Sequence, residues 1–106
     1  MTYMYILECA DGTYYTGSTK HLKVRIRQHN EGMGANYTSK RLPVKLVHIE
    51  PFTLVSEAFE REKQVQNWSH AKKRALVNGE YDELRQKAKK VFRNKSTRQP
   101  SETQIL

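Results

Sequence analysis

An Asp-Gly pair near the start of the chain joins two short runs of strand-forming residues. Residues 3–9 are aromatic, branched and apolar without a helical period, and residues 13–17 follow Asp11-Gly12 as a second such run. Asp-Gly between two runs of this kind is a strong signal for a tight turn between antiparallel strands. The sequence therefore predicts that a β-hairpin is the first element of the fold.

The length of the turn decides which tyrosines share a face of the hairpin. If Asp11 and Gly12 alone form the loop, Tyr15 shares a face with Ile6 and Tyr5 points the other way. A three-residue loop with a bulge reverses this and puts Tyr5 and Tyr15 on one face. The sequence leaves both registers open.

The segment after the hairpin has the period of an α-helix. At about 100° per residue, Leu22, Ile26 and His29 fall within one narrow stripe, and Arg25 lies on its edge. We therefore expect the side chains of Arg25 and His29 to point roughly toward the sheet.

Capping residues, prolines and glycines define the order of the later elements. We expect a helix from a cap at Ser18 or Thr19 to about Glu31, followed by a polar and basic loop over residues 36–42. A strand is expected over residues 44–49. Two helices follow, one from about Ser56 to Trp68 and a short one from a Ser69 cap to Val77. This order predicts an α+β fold, with a small, three-stranded, largely antiparallel sheet flanked by helices.

The end of the chain changes character. Residues 81–92 carry apolar side chains at helical spacing and predict a C-terminal amphipathic helix. Residues 93–106 are polar and basic, a composition typical of a disordered tail. We therefore assign residues 1–80 to the main domain and the remainder to this helix and tail.

The most informative charged residue is an acid on the inward face of the later helix. Val55, Ala58, Phe59 and Val65 form its apolar stripe, and Glu62 lies in the middle of that stripe. A charge in such a place must be paired, protonated or bound to a metal. One carboxylate can hold Mg²⁺ when water and substrate phosphate complete the octahedron.

Each candidate residue also has a structural interpretation. Glu62 is equally well explained by a salt bridge to Arg25 or to a lysine. Arg25 can cover apolar surface with its stem, and a lone histidine such as His29 is usually a satisfied core residue. Tyr5 and Tyr15 are ordinary strand residues by propensity. As functional groups, Arg25 suits bidentate phosphate contact and His29 suits proton transfer.

The charge of the chain favours a polyanionic partner. The formal net charge is +8 over 106 residues, and nucleic acid is the first candidate for such a partner. Contact with phosphates or an unpaired base is predicted for an aromatic and basic loop that contains Tyr37, Thr38, Lys40 and Arg41.

Cysteine usage and hydropathy exclude other classes. The single cysteine, Cys9, excludes an internal disulfide and a cysteine-based zinc cluster. Because no signal peptide begins the chain and no apolar run approaches the roughly 20 residues of a membrane span, we expect a cytoplasmic location.

The order and spacing of these segments resemble the GIY-YIG nuclease superfamily, in particular its short stand-alone bacterial YhbQ/YazA-like proteins. Tyr3-Met4-Tyr5 stands at the first motif and Tyr15-Thr16-Gly17 at the second. Arg25, His29 and Glu62 fall on the family's catalytic arginine, its common histidine and its metal-binding glutamate. The resemblance covers residues 3–77, and its departures, Tyr3 for glycine and Thr16 for an apolar residue, remove no catalytic side chain.

The resemblance implies hydrolysis of a DNA phosphodiester with one Mg²⁺ or Mn²⁺, in repair, recombination or DNA turnover. In that mechanism Glu62 holds the metal, Arg25 clamps the scissile phosphate, Tyr15 or Tyr5 activates the water, and His29 assists by deprotonating the tyrosine. The DNA is expected to be branched or single-stranded. Since other nucleases of the superfamily append a DNA-binding or partner-binding domain, weak activity or a protein partner that supplies substrate recognition is also implied.

Two alternatives compete with the enzyme. One is a non-catalytic nucleic-acid-binding module that keeps the nuclease fold, and the other is a small basic protein with a purely structural Arg25–Glu62 pair. A binding module has no reason to retain Glu62 on an apolar helix face, at a cost of about 1–3 kcal/mol. Its presence favours the enzyme.

Overall fold

Three antiparallel strands form one sheet between two layers of helices. The computed structural model describes residues 1–80. The strands are β1 (Thr2–Glu8), β2 (Tyr14–Thr19) and β3 (Lys45–Phe52), and the helices are α1 (Leu22–Asn30), α2 (Asn36–Ser39), α3 (Val55–Gln66) and α4 (His70–Val77). The strand order is β2-β1-β3. The predicted α+β class is confirmed, while the predicted helix at 81–92 and the tail at 93–106 lie outside the described residues.

The hairpin loop contains three residues. The Cys9 amide donates to the Thr13 carbonyl at 2.8 Å, and the Gly12 amide donates to the Cys9 carbonyl at 2.9 Å. The Asp11 carboxylate accepts hydrogen bonds from the Thr13 amide and hydroxyl at 3.1 and 2.6 Å, and Gly12 takes a φ of 86°. This local chemistry selects the longer of the two loops that the sequence left open.

The register that follows puts both tyrosines on one face of the sheet. Leu7 pairs with Tyr15, and Tyr5 pairs with Gly17. Because directly paired residues of antiparallel strands lie on the same face, Tyr5 and Tyr15 face the same side. Of the two predicted registers, the one with the bulged loop is therefore correct.

Alternate residues of β1 supply two separate cores. Met4, Ile6, Val65 and Leu76 form the core beneath α3 and α4. Tyr5, Leu7, Cys9 and Val44 form the core on the opposite face, where Leu22 and Ile26 of α1 pack against them. The domain therefore has three layers, with β1 buried on both faces.

The predicted start of α1 is wrong. Ser18 and Thr19 belong to β2, and α1 begins at Leu22 without a side-chain cap. The Ser18 hydroxyl donates to Glu62 instead, and the Thr19 hydroxyl accepts from the His21 amide at 3.1 Å. Both oxygens are therefore committed to other partners.

Two later expectations also need correction. Asn36–Ser39 is a short helix within the segment predicted as a loop, and its Thr38 hydroxyl donates to the Ala35 carbonyl at 3.1 Å. Strand β3 continues through Pro51, which its position at the sheet edge permits. In contrast, the Ser69 cap of α4 is confirmed, because its hydroxyl accepts from the Lys72 amide.

A buried hydroxyl in β2 gives a test of how this strand packs in the domain. Thr16 is 2% exposed, and its hydroxyl has no hydrogen-bond partner within residues 1–80. The isosteric Thr16→Val removes this unpaired polar group, so we expect the free energy of unfolding in urea to rise by about 1 kcal/mol. The same change at Thr13, whose hydroxyl donates to Asp11, serves as the control and should lower stability. Equal or lower stability of Thr16→Val would contradict the packing.

Candidate active site

The Tyr5 side chain lies across the backbone of Gly17 on the edge strand β2. A Cβ added at Gly17 would come within 2.6 Å of the Tyr5 hydroxyl oxygen and 2.7 Å of the ring carbon that bears it. Real Cβ atoms do not approach so closely, so only glycine admits the ring here. The Tyr5 side chain, which is 1% exposed, therefore packs directly against β2.

A buried chain of hydrogen bonds links Tyr5 to two helices. The Tyr5 hydroxyl lies 2.9 Å from His29 Nε2, and His29 Nδ1 lies 2.8 Å from the Thr38 hydroxyl. The Thr38 proton is used on the Ala35 carbonyl, which cannot donate. We therefore assign the proton of neutral His29 to Nδ1, which leaves Nε2 to accept the proton of the Tyr5 hydroxyl.

The burial of this chain fixes its protonation. Burial, with a smaller contribution from the Arg25 charge, lowers the pKa of His29 from 6.5 to about 4. Burial raises the pKa of Tyr5 to about 12 against the opposing effect of Arg25, and it raises the pKa of Tyr15 as well. At neutral pH the imidazole is therefore uncharged and both phenols carry their protons.

The predicted catalytic side chains surround one space at the edge of β2. The ring centroids of Tyr5, Tyr15 and His29 are 5.1 to 6.5 Å apart. Arg25 acts on the pKa of both phenols through its charge and by hydrogen bonding, and the charge of Glu62 raises the pKa of both. The structure thus brings all five of these residues together.

Glu62 reaches this space from the other face of the sheet. Its Oε1 accepts a hydrogen bond of 2.7 Å from Ser18, which pairs with Met4 and so lies on the α3 face. The site residues therefore come from both faces of the sheet. Because β2 is an edge strand, the carboxylate can pass around it and act on the tyrosines beyond Gly17.

The Glu62 carboxylate retains an oxygen for a cation. Within residues 1–80 its Oε2 receives no hydrogen bond, and it forms no ion pair with Arg25 or with a lysine. The described part of the chain contains no group of three or more acidic, histidine or cysteine side chains that could hold a metal together. A single carboxylate suits Mg²⁺, which keeps several waters and binds substrate phosphate.

Comparisons with known proteins identify the family of this chain. Residues 1–75 match the model of the GIY-YIG catalytic domain. The chain belongs to the GIY-YIG family. It is 49% identical over 76 residues to a UPF0213 protein of Halobacterium salinarum, and the aligned region covers 72% of this chain and 99% of that protein. A UPF0213 protein of Staphylococcus saprophyticus is 46% identical, with 72% and 93% covered.

A solved structure also matches the GIY-YIG chain. The solution NMR structure of a UPF0213 protein from Bacillus halodurans is 44% identical and covers 74% of this chain and 84% of that one, with a TM-score of 0.48.

Within residues 1–80, no helix is both long and apolar enough to cross a membrane.

The basic loop of this GIY-YIG domain has a more structural role than its sequence predicted. Arg41 forms a 3.0 Å salt bridge to Asp11, stacks 3.8 Å above the Tyr37 ring and donates to the Tyr37 carbonyl. Thr38 is fully buried against His29, so its hydroxyl is not available to a nucleic acid. Tyr37, 37% exposed, and the exposed Lys40 remain accessible.

Two residues that hold the GIY-YIG site together were missed in the sequence. Ser18 orients Glu62, and Asn30 joins the end of α1 to β3 through its amide, which bonds both the Val44 amide and carbonyl. Ser18 is 44 residues from Glu62 in the chain, so no local signal reports that contact. For the contact of Asn30, the only signal in the sequence was its position directly after His29, at the end of a predicted helix.

The neutral state of His29 predicts a dependence of stability on pH. Between pH 6.5 and about 4 the unfolded chain binds a proton at His29 that the folded protein does not. The free energy of unfolding should therefore hold above pH 6.5 and fall by up to about 3 kcal/mol as the pH drops through that window. Urea unfolding from pH 7 to pH 4 measures this, with His29→Gln as the control. A pH slope identical in both proteins would contradict the assignment.

Proposed function

We propose that this GIY-YIG domain is a metal-dependent DNA endonuclease that hydrolyses phosphodiester bonds. The observation that carries the proposal is the meeting, at one sheet edge, of a phenol bonded to a neutral imidazole with a carboxylate that has no ion-pair partner within residues 1–80. A purely structural Glu62 would be expected to pair with Arg25, and it does not. The net charge of +8 supports a polyanionic substrate.

Tyr5 is the better candidate for the general base. Its hydroxyl donates to His29 Nε2, whereas Tyr15 contacts His29 only through its ring. We propose that the Tyr5 proton moves to Nε2 as the phenol takes a proton from the attacking water. The free-protein pKa values of about 12 and about 4 make that transfer uphill, so it needs positive charge that stabilises the Tyr5 phenolate more than it destabilises the His29 imidazolium.

Arg25 supplies positive charge for this step, and Glu62 provides the place for the substrate. The Arg25 guanidinium already lowers the pKa of both phenols and suits bidentate contact to the scissile phosphate. Glu62 would hold Mg²⁺ or Mn²⁺ through Oε2, with Ser18 fixing Oε1. When bound, the metal neutralises charge that develops on the phosphate oxygens.

The accessible residues of the basic segment are proposed to guide the DNA. Tyr37 and Lys40 are exposed, and Tyr15 stacks beside Tyr37 with ring centroids 6.3 Å apart. Arg41 stacks on the Tyr37 ring of α2 and forms a salt bridge with Asp11, so it ties that ring to the hairpin loop. A role in repair, recombination or DNA turnover, a cytoplasmic location and a protein partner for substrate recognition stay predictions.

A non-catalytic nucleic-acid-binding module is the second candidate. The net charge of +8 and the exposed Tyr37 and Lys40 support it, since they would serve binding without catalysis. The two candidates differ in what Glu62 does, because a binding module needs no carboxylate beside a phosphate.

Cleavage of plasmid, single-stranded and branched DNA with Mg²⁺ or Mn²⁺ separates these functions. Glu62→Ala and Arg25→Ala should each lower the cleavage rate by about 100-fold or more, because each removes charge stabilisation at the scissile phosphate. Glu57→Ala and Arg27→Ala change exposed residues of the same two helices and should cut normally. If wild type cuts none of these substrates, or if Glu62→Ala cuts as fast as wild type, the domain is not an endonuclease of this kind.

The choice of Tyr5 as base is tested by a pair of matched variants. Tyr5→Phe should lower the cleavage rate by about 100- to 10,000-fold, the usual loss of a general base. Tyr15→Phe removes a hydroxyl from the same face and should cost much less. Single-turnover rates with saturating protein measure both, and a larger loss in Tyr15→Phe would assign the role to Tyr15.

A further inference from the structure

Three large apolar side chains lie exposed beside the active-site carboxylate. Leu54, Val55 and Phe59 are 56%, 52% and 50% exposed, although the sequence predicted Val55 and Phe59 to be part of the buried stripe. Around α3, Val55 lies about 20° and Phe59 about 60° from Glu62. Ala58, on the other side of Glu62, is fully buried. Glu62 therefore stands at the boundary between the packed face of α3 and an exposed apolar edge.

A cation accompanies this apolar edge. The Lys63 ammonium lies 4.9 Å above the centre of the Phe59 ring. The other acids of the helix, Glu57 and Glu60, lie about 160° and 100° away from Phe59 around the axis. Apart from Glu62, this side of the helix therefore carries no negative charge. We call the surface the α3 edge and define it by Leu54, Val55, Phe59 and Lys63.

An exposed ring beside a cation suits one ligand chemistry in particular. Single-stranded nucleic acid is held by bases stacked on aromatic rings and by cations along the phosphates. A base inside a duplex has its faces covered by its neighbours and cannot use such a ring. The positive charge of the α3 edge and of the whole chain complements a nucleic acid strand.

We propose that the α3 edge holds an unstacked nucleotide next to the scissile phosphate, with its base on Phe59 and its phosphate at Lys63. The substrate class is then DNA with a single-stranded or frayed segment at the position of cleavage. This inference rests on the proposed function only in taking Glu62 as the place of the scissile phosphate. Phe59 lies three residues before Glu62, about 4.5 Å along the axis of α3, so a nucleotide on Phe59 would lie next to a phosphate at Glu62.

Binding without cleavage tests the contact. Anisotropy of a labelled single strand and of the matching duplex is measured with the full chain in EDTA, where no metal-dependent cleavage occurs. Phe59→Ala should weaken single-strand binding by about 5- to 100-fold, the range expected for one lost stack, and change duplex binding by less than about twofold. Lys63→Gln should reduce the salt dependence of single-strand binding by about one phosphate contact.

Two controls keep the result interpretable. Phe59→Tyr keeps a ring and should bind the single strand as wild type does, and Ile49→Ala removes a 43% exposed apolar side chain from the opposite face of the sheet. Unchanged single-strand affinity in Phe59→Ala, or an equal loss for duplex, would overturn the proposal. So would sedimentation showing that wild type is a dimer and Phe59→Ala a monomer, since a second copy would then occupy the α3 edge.

The outcome is separable from that of the proposed reaction. If wild type cuts no DNA but Phe59→Ala selectively loses affinity for the single strand, the nuclease proposal fails and the α3 edge contact stands. If wild type cuts DNA and Phe59→Ala binds single strands normally, the nuclease proposal stands and the α3 edge contact fails.

Discussion

The hydrogen bond from Tyr5 to His29 joins the sheet to one entire helical layer. Through Thr38, the same chain of bonds continues from α1 into α2, so three elements meet at one imidazole. In the neutral ring, Nδ1 donates to the Thr38 hydroxyl and Nε2 accepts from the Tyr5 hydroxyl. The burial that keeps His29 uncharged therefore holds the layer in place and also prepares a proton acceptor for the phenol. In this domain the architecture and the proposed chemistry depend on the position of the same proton.

The sequence predicted best where the deciding chemistry was local. The cap at Ser69 and the hairpin at Asp11 are short-range features, and both were read correctly as elements. The register of the hairpin was harder, because it depends on whether Ala10 joins Asp11 and Gly12 in the loop between Cys9 and Thr13. Ser18 shows the limit most clearly, since its propensity as a cap was overridden by a carboxylate from a distant helix. Tertiary partners of this kind leave no periodic trace in the chain.

Helical period placed the polar residues correctly but not completely. It turned Arg25, His29 and Glu62 toward the sheet, as observed, yet it cannot say on which face of a sheet a helix will pack. It also treated every apolar residue of α3 as buried, whereas the helix packs on its Ala58 and Val65 side and leaves Phe59 half exposed. The sheet has only three strands and ends at β2, so the packed face of α3 is narrower than its apolar stripe.

A β-sheet ordinarily separates its two faces, and the candidate site extends around the edge of this sheet at β2. The proton chain of Tyr5 lies on one face, and the carboxylate of Glu62 comes from the other. The two halves of the site therefore belong to different hydrophobic cores. Each core can therefore vary in sequence without repacking the other, so the surroundings of Glu62 and those of the Tyr5–His29 pair can change separately within one small domain.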